Sequence, residues 1–144
     1  MRAVKQEIQL ERVAKYLEGQ ADVAAAYLFG SFARERARSD SDVDVAVLFA
    51  KREQDQMARF ERCLEIEIGL QAIVRRTVQV IDLEDSSLLL QRQVRKYGRL
   101  LMEKDARRRA AFEVASRRLF LELERVRRLR QAVVLADLGG GPAW

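Results

Sequence analysis

Hydrophobic positions in this chain follow two patterns, and the first predicts helices. Apolar residues that recur at intervals of three or four form one face of an α-helix. This spacing predicts helices over residues 2–18, 53–70 and 86–97, and then a long helix with an apolar stripe at Phe112, Ala115, Leu119, Leu123, Val126, Leu129 and Val133. In the second helix the recurring apolar residues are Met57, Phe60, Leu64 and Ile68. The first three helices are expected to end at Gly19, Gly69 and Gly98.

The second pattern consists of short, uninterrupted apolar runs, which predict buried strands. The runs lie at 23–29, 43–49 and 77–81, and a short extended segment follows at 99–103. Helices and strands therefore alternate along the chain, which predicts a small α/β sheet covered by helices. We expect a domain over residues 1–103, a long helix over 104–138 and a tail over 139–144.

Composition restricts the chemistry that the chain can perform. Its 144 residues contain no histidine and one cysteine, Cys63. This excludes serine–histidine and cysteine–histidine nucleophiles and zinc sites built from histidine or cysteine. Any metal is expected to be a hard cation on oxygen ligands, which means magnesium or manganese. No stretch reaches the ~18 uninterrupted apolar residues of a membrane span, and residues 1–10 lack the apolar core of a signal peptide, so we expect a cytoplasmic protein.

Charge is unevenly distributed along the chain. The net charge is +5, but residues 92–130 contain fourteen Lys and Arg against five Asp and Glu. A solvated arginine-rich helix, an interface for an acidic partner protein and an RNA-binding face are all compatible with this excess. RNA binding ranks last because no aromatic residues are interleaved for base stacking. The apolar stripe of the long helix needs a packing partner, and a second copy of the chain is one option.

One stretch carries the candidate chemistry, and it opens with Gly30 and Ser31 at the end of an apolar run. Glycine lets the backbone approach a phosphate closely, and the Ser31 hydroxyl and the following backbone amides can donate hydrogen bonds to it. Arg34 and Arg38 are candidate partners for further phosphate oxygens. This half of the stretch predicts a nucleotide-binding turn.

The other half of the stretch contributes two carboxylates, Asp42 and Asp44, at the start of the second predicted strand. Residues two apart in a strand point to the same face, so both side chains are expected together. Paired carboxylates can bridge two divalent ions in nucleotidyl transfer, where the catalyst mainly positions the triphosphate and neutralises its charge. Asp42 and Asp44 are therefore the candidate catalytic and metal-binding residues.

The spacing of Gly30-Ser31 and Asp42-Val43-Asp44 resembles the signature of the DNA polymerase β-type nucleotidyltransferase superfamily. The fuller run, through Phe32-Ala33-Arg34 and Ser41, is similar to its minimal nucleotidyltransferase (MNT) branch. The similarity covers roughly residues 10–103. It implies a small mixed sheet flanked by helices, with magnesium and ATP as ligands. Within the branch, the chain looks most like adenylyltransferase antitoxins, which place AMP on HEPN-domain toxins.

The chain departs from the family pattern at two positions. Glu35 stands where the family usually has glycine, and Gln79 aligns with the aspartate that is the family's third metal ligand. A glutamine amide brings no charge and cannot accept a proton from an attacking hydroxyl. Asp82 is expected on the opposite face of the strand, and Glu65 and Glu67 lie on the preceding helix. The third ligand position is therefore degenerate.

Two functions follow from this pattern. The first is an antitoxin that transfers AMP from ATP to its HEPN partner, with Asp42 and Asp44 as metal ligands. The second is a weakened or inactive homologue that binds nucleotide and neutralises its partner by complex formation. Gln79 separates the two, because it removes the carboxylate that would complete the site.

Overall fold

The computed structural model describes residues 2–31, 33 and 42–139, with the backbone alone for residues 2–8. Four strands form one mixed sheet: β1 (Val23–Phe29), β2 (Val43–Phe49), β3 (Val78–Asp82) and β4 (Arg99–Glu103). Their order across the sheet is β3-β2-β1-β4. β1 runs antiparallel to both of its neighbours, and β2 and β3 are parallel. This confirms the predicted α+β class with a small mixed sheet.

Four helices complete the described fold: α1 (Arg2–Glu18), α2 (Gln56–Val74), α3 (Leu88–Tyr97) and α4 (Ala106–Gly139). The predicted boundaries of α1 and α3 agree closely with those in the structure. Ser87 caps α3 by accepting a hydrogen bond from the Leu90 amide, and Gly98 ends the helix. In the described part of the chain, no helix has the length and apolar content that a bilayer span requires.

The predicted end of α2 at Gly69 is wrong, because the helix continues to Val74 and ends at Arg75 in the left-handed conformation. Gly69 instead lies inside the helix where α1 crosses it. A Cβ atom at this position would lie 2.0 Å from the Tyr16 hydroxyl oxygen. Gly69 therefore leaves room for the Tyr16 ring where the two helices approach each other, and its presence does not mark a helix end.

The sheet has a hydrophobic core on each face. On one face, Val45, Val47 and Val80 pack against the helical residues Leu17 and Ile66, so α1 and α2 cover this side. The opposite core contains Ala25, Tyr27, Ala46, Leu48, Leu83, Val94 and Phe112, and α3 and α4 supply its cover. Burial on both faces explains why β1 and β2 read as uninterrupted apolar runs.

The recurring apolar residues that predicted α2 are on its solvent side. Met57, Phe60, Leu64 and Ile68 are 38% to 65% exposed. The buried residues of the helix are a second set, Cys63, Ile66, Leu70 and Val74. The helix prediction is confirmed, but the 57–68 stripe is an exposed apolar surface.

The long helix α4 also leaves most of its stripe uncovered. Phe112 and Ser116 are its buried residues, and the Ser116 hydroxyl donates a hydrogen bond of 2.7 Å to Gln91 Oε1 on α3. Beyond this point the stripe residues are 39% to 61% exposed: Leu119, Leu123, Val126, Leu129 and Val133. The described chain itself does not supply the packing partner that the stripe predicts.

Arg108 attaches the start of α4 to the sheet. Its Nε donates to the Phe49 carbonyl oxygen at 3.1 Å, and its two terminal nitrogens donate to the Glu84 carboxylate at 3.0 and 2.7 Å. The Arg108 and Glu84 side chains are only 21% and 19% exposed. This bidentate and largely desolvated ion pair is therefore expected to stabilise the fold much more than an ordinary surface ion pair.

Arg108→Met should lower the free energy of unfolding by about 1.5–3 kcal/mol, because Glu84 and the Phe49 carbonyl lose a charged donor. Denaturant unfolding followed by circular dichroism measures this change. The neighbouring Arg107→Met is the control, since Arg107 is exposed; it should change stability by less than about 0.5 kcal/mol. Equal losses in both variants would refute the role of the Arg108 pair.

Candidate functional site

The candidate site lies where β1 ends and β2 begins. These strands are antiparallel neighbours, and Phe29, the last residue of β1, is paired with Asp44 near the start of β2. Gly30 and Ser31 form a turn directly after Phe29. Strand pairing alone therefore brings the Gly-Ser turn beside the two aspartates, although ten residues separate them in the chain.

Gly30 is held in contact with Asp44. It adopts a φ of +72°, and a Cβ atom on it would lie 2.4 Å from Asp44 Oδ2. Any other residue would be strained in this conformation and would also displace the carboxylate. The sequence predicted Gly30 as a site of close approach to a phosphate, and the structure adds that the Asp44 carboxylate already occupies the space of a side chain.

The two carboxylates differ in their surroundings. Asp42 is exposed just before β2, and Asp44 is partly buried within it. Partial burial raises the pKa of Asp44, and the neighbouring charge of Asp42 raises it further. A divalent cation would offset both effects, because it supplies positive charge at the point where two anionic oxygen donors converge. This donor set fits magnesium or manganese.

Gln79 is the residue beside Asp44 on the next strand. The parallel register of β2 and β3 pairs Asp44 with Gln79 directly, and such pairs have their side chains on the same face of the sheet. Gln79 therefore lies next to Asp44 on this face, at the position to which the family resemblance assigns a third metal ligand. Within residues 2–31, 33 and 42–139, no group of three or more His, Cys, Asp or Glu residues could hold a metal ion.

The other acidic residues do not replace Gln79. Asp82 is paired with Val47, so it lies on the opposite face of the sheet, and burial raises its pKa there. Glu67 accepts a hydrogen bond of 3.0 Å from the Val80 amide, which protects the open edge of β3. Glu65 is paired with Arg62 on the surface of α2.

Two apolar residues share the face of the sheet with the candidate site. Phe29 is the register partner of Asp44, and Ile81 follows Gln79 by two residues on β3. Both pack against the core under α3 and α4. The sequence analysis did not assign these two residues to the site. The signal was present, because side chains two apart in a strand share a face and paired residues on neighbouring strands do so as well. Arg34 and Arg38, the predicted phosphate partners, lie outside the described residues.

Comparison with known proteins identifies the family. The sequence model of the polymerase beta, nucleotidyltransferase family matches residues 11–107, well over half of the chain. A search of curated proteins finds no significant match.

Three similar solved structures are toxin–antitoxin assemblies. The chain is 26% identical to a chain of a toxin–antitoxin structure with AMP-PNP, with a TM-score of 0.67 and coverage of 88% of this chain and 98% of that one. For the MntA–HepT toxin–antitoxin, the identity is 25%, the TM-score 0.65 and the coverage 90% and 99%. The third structure is a tri-AMPylated HEPN toxin from Shewanella oneidensis in complex with MNT antitoxin. Here the identity is 26%, the TM-score is 0.65, and the match covers 91% of this chain and 99% of that one.

These similarities agree with the arrangement of the site. The family match includes the Gly30 turn, both aspartates and β3, and the structural likeness extends over nearly the whole length of the matched chains. They confirm the resemblance to the MNT branch. This chain belongs to the polymerase beta-type nucleotidyltransferase family.

Proposed function

We propose that this chain is the antitoxin of a toxin–antitoxin pair with a HEPN-type partner, and that it transfers AMP from ATP to that partner. The observation that carries the proposal is the contact between the Gly30 turn and Asp44, which sets a phosphate-binding backbone beside two carboxylates. Similarity to a complex that contains an AMPylated HEPN toxin supports the same direction of transfer. Because ATP is a cytoplasmic substrate, we expect the protein to act in the cytoplasm.

The residues of the site have separate roles in this reaction. Asp42 and Asp44 would hold Mg²⁺ or Mn²⁺, and the metal, when bound, neutralises charge on the triphosphate. The Ser31 hydroxyl and the backbone amides of the turn after Gly30 would donate to phosphate oxygens. Transfer forms a bond between a hydroxyl oxygen of the partner and the α-phosphorus of ATP, and it breaks the bond to pyrophosphate.

Gln79 favours a second candidate function, neutralisation of the partner by complex formation with little or no transfer. Its amide lies beside Asp44 where a carboxylate would complete the site, and an amide cannot accept the proton of the attacking hydroxyl. The exposed apolar stripes of α2 and α4 offer surface for such a complex. In this alternative, the site binds nucleotide and the helices supply the inhibition.

Replacing Asp42 and Asp44 by asparagine separates the two functions. The double variant should lose at least about 100-fold in the transfer of labelled AMP to the partner encoded beside this chain, since the metal loses both charged ligands. The measurement is radiolabel on the partner after incubation with ATP and magnesium, together with the activity of the partner. Neutralisation that persists without label would refute the transferase and establish the complex.

Gln79→Asp should raise the rate of AMP transfer about 10- to 100-fold, because it places a carboxylate beside Asp44 that can bind metal and accept a proton. The control is Gln56→Asp, which makes the same change at an exposed position at the start of α2, on the helix that covers the opposite face of the sheet. If both variants transfer AMP at the wild-type rate, Gln79 does not occupy a third ligand position.

Gly30→Ala should abolish nucleotide binding measured by calorimetry with a non-hydrolysable ATP analogue and magnesium. The added methyl group would collide with Asp44 Oδ2 and would also strain a backbone with positive φ. Gly19→Ala is the matched control, since a Cβ there would meet nothing closer than the Tyr16 carbonyl oxygen at 3.4 Å. Unchanged affinity in Gly30→Ala would exclude this turn from the nucleotide site.

A further inference from the structure

A cleft between α3 and α4 is lined by five arginines: Arg92, Arg95, Arg117, Arg125 and Arg128. We call it the arginine cleft. Its volume is about 740 Å³, and its other lining residues include Phe120 and one acidic residue, Glu124. None of the lining residues comes from the Gly30 turn, β2 or β3, so the cleft is separate in its residues from the candidate nucleotide site.

Arginines elsewhere in the described chain are neutralised by carboxylates when they pack against the protein. Arg62 is paired with Asp22 at 2.8 Å, Arg108 with Glu84 at 2.7 Å and Arg109 with Glu113 at 2.9 Å. These pairs show how this fold normally accommodates a half-buried guanidinium: the partner carboxylate lies within hydrogen-bond distance.

The arginine cleft does not follow this pattern. Among the described residues, no carboxylate lies within 4 Å, the limit of an ion pair, of four of these arginines: Arg92, Arg95, Arg117 and Arg128. The fifth, Arg125, is paired with Glu122 at 3.3 Å on the exposed surface. The single acid in the cleft, Glu124, is 3.9 Å from Arg127 outside it. Five arginines therefore line the cleft, with one carboxylate among the lining residues.

Arg95 is the residue most affected by this arrangement. Its Nε and Nη2 atoms are buried and have no hydrogen-bond partner in the described structure. Burial holds the pKa of Arg95 below its usual range; the charge of Arg117 contributes in the same direction, and the carboxylate of Glu113 acts against it. Two buried donors without a partner are costly, and a fully solvated arginine face would not contain them.

One guanidinium group of the cleft is oriented by an aromatic ring. Arg92 lies over the ring of Phe120, with 5.1 Å between its guanidinium carbon and the ring centroid. Such stacking fixes the orientation of a planar fork whose geometry matches the oxygens of a phosphate. A ligand with one negative charge would leave most of the positive charge unmatched, whereas adjacent phosphate groups would offset several guanidinium groups at once.

We infer that the arginine cleft between α3 and α4 is a binding site for a ligand with two or more adjacent phosphate groups. A free polyphosphate group and the backbone of a nucleic-acid strand present the same chemistry. The ligand supplies negative charge to a cleft whose lining has five arginines and one acidic residue.

Thermal unfolding in metal-free buffer tests this site with inorganic tripolyphosphate as the probe. At about 100 times its Kd, tripolyphosphate should raise the Tm of the wild-type protein by about 5 °C or more. Sodium chloride at matched ionic strength separates binding from screening. An equal rise in Tm with the chloride salt, or no rise with tripolyphosphate, would overturn the inference.

Arg95→Met identifies the site within the protein. The variant should melt at or above the wild-type temperature without ligand, because an unpaired buried charge is removed, and it should bind tripolyphosphate at least ten-fold more weakly. Arg118→Met is the matched control: it removes the same charge one residue from Arg117 but does not line the cleft, and it should retain the wild-type shift. Equal shifts in both variants would refute the site.

A second variant and a second probe complete the test. Arg117→Met changes an exposed residue of the cleft, so it should fold normally and also weaken binding; wild-type affinity in this variant would contradict the inference.

A twelve-residue oligouridine replaces tripolyphosphate in a parallel series. Tighter binding of the oligonucleotide with a steeper salt dependence supports the nucleic-acid source, and tighter binding of tripolyphosphate supports the free polyphosphate.

Discussion

The contact between the bare Cα of Gly30 and the Asp44 carboxylate is the constraint on which the site depends. It exists because β1 and β2 are antiparallel neighbours whose pairing sets Phe29 opposite Asp44. Both strands are buried on two faces, so their register cannot shift without exposing a core. The buried centre of the fold thus fixes the distance between the Gly30 turn and the Asp44 carboxylate, and Gly30 has no side chain to keep them apart.

The same sheet also determines what the site lacks. On β3, Gln79 lies beside Asp44, and Asp82 lies on the other face of the sheet, which α2 covers. Glu67 on α2 accepts a hydrogen bond from the β3 backbone and so is directed to the strand edge. No acidic residue of the described chain is in a position to compensate for Gln79, so the proposed transfer depends on the chemistry of this one side chain.

The helices distribute apolar and charged surface in a way that suits association. α2 buries one stripe and exposes another, and α4 leaves the sheet after Ser116 with its apolar stripe uncovered. Exposed apolar surface of this kind is typical of interfaces. The arginine cleft adds a strongly basic surface where α3 meets α4.

Local patterns in the sequence by themselves determined most of the secondary structure and the family. Uninterrupted apolar runs identified β1 and β2, Ser87 and Gly98 bounded α3, and Gly30, Asp42 and Asp44 identified the nucleotidyltransferase signature, because each of these signals acts within a few residues. Tertiary structure alone decided which apolar face α2 buries, that Tyr16 lies against Gly69, and that two buried Arg95 donors find no hydrogen-bond partner among the described residues. These features depend on which elements meet across the fold, and spacing along one chain does not contain that information.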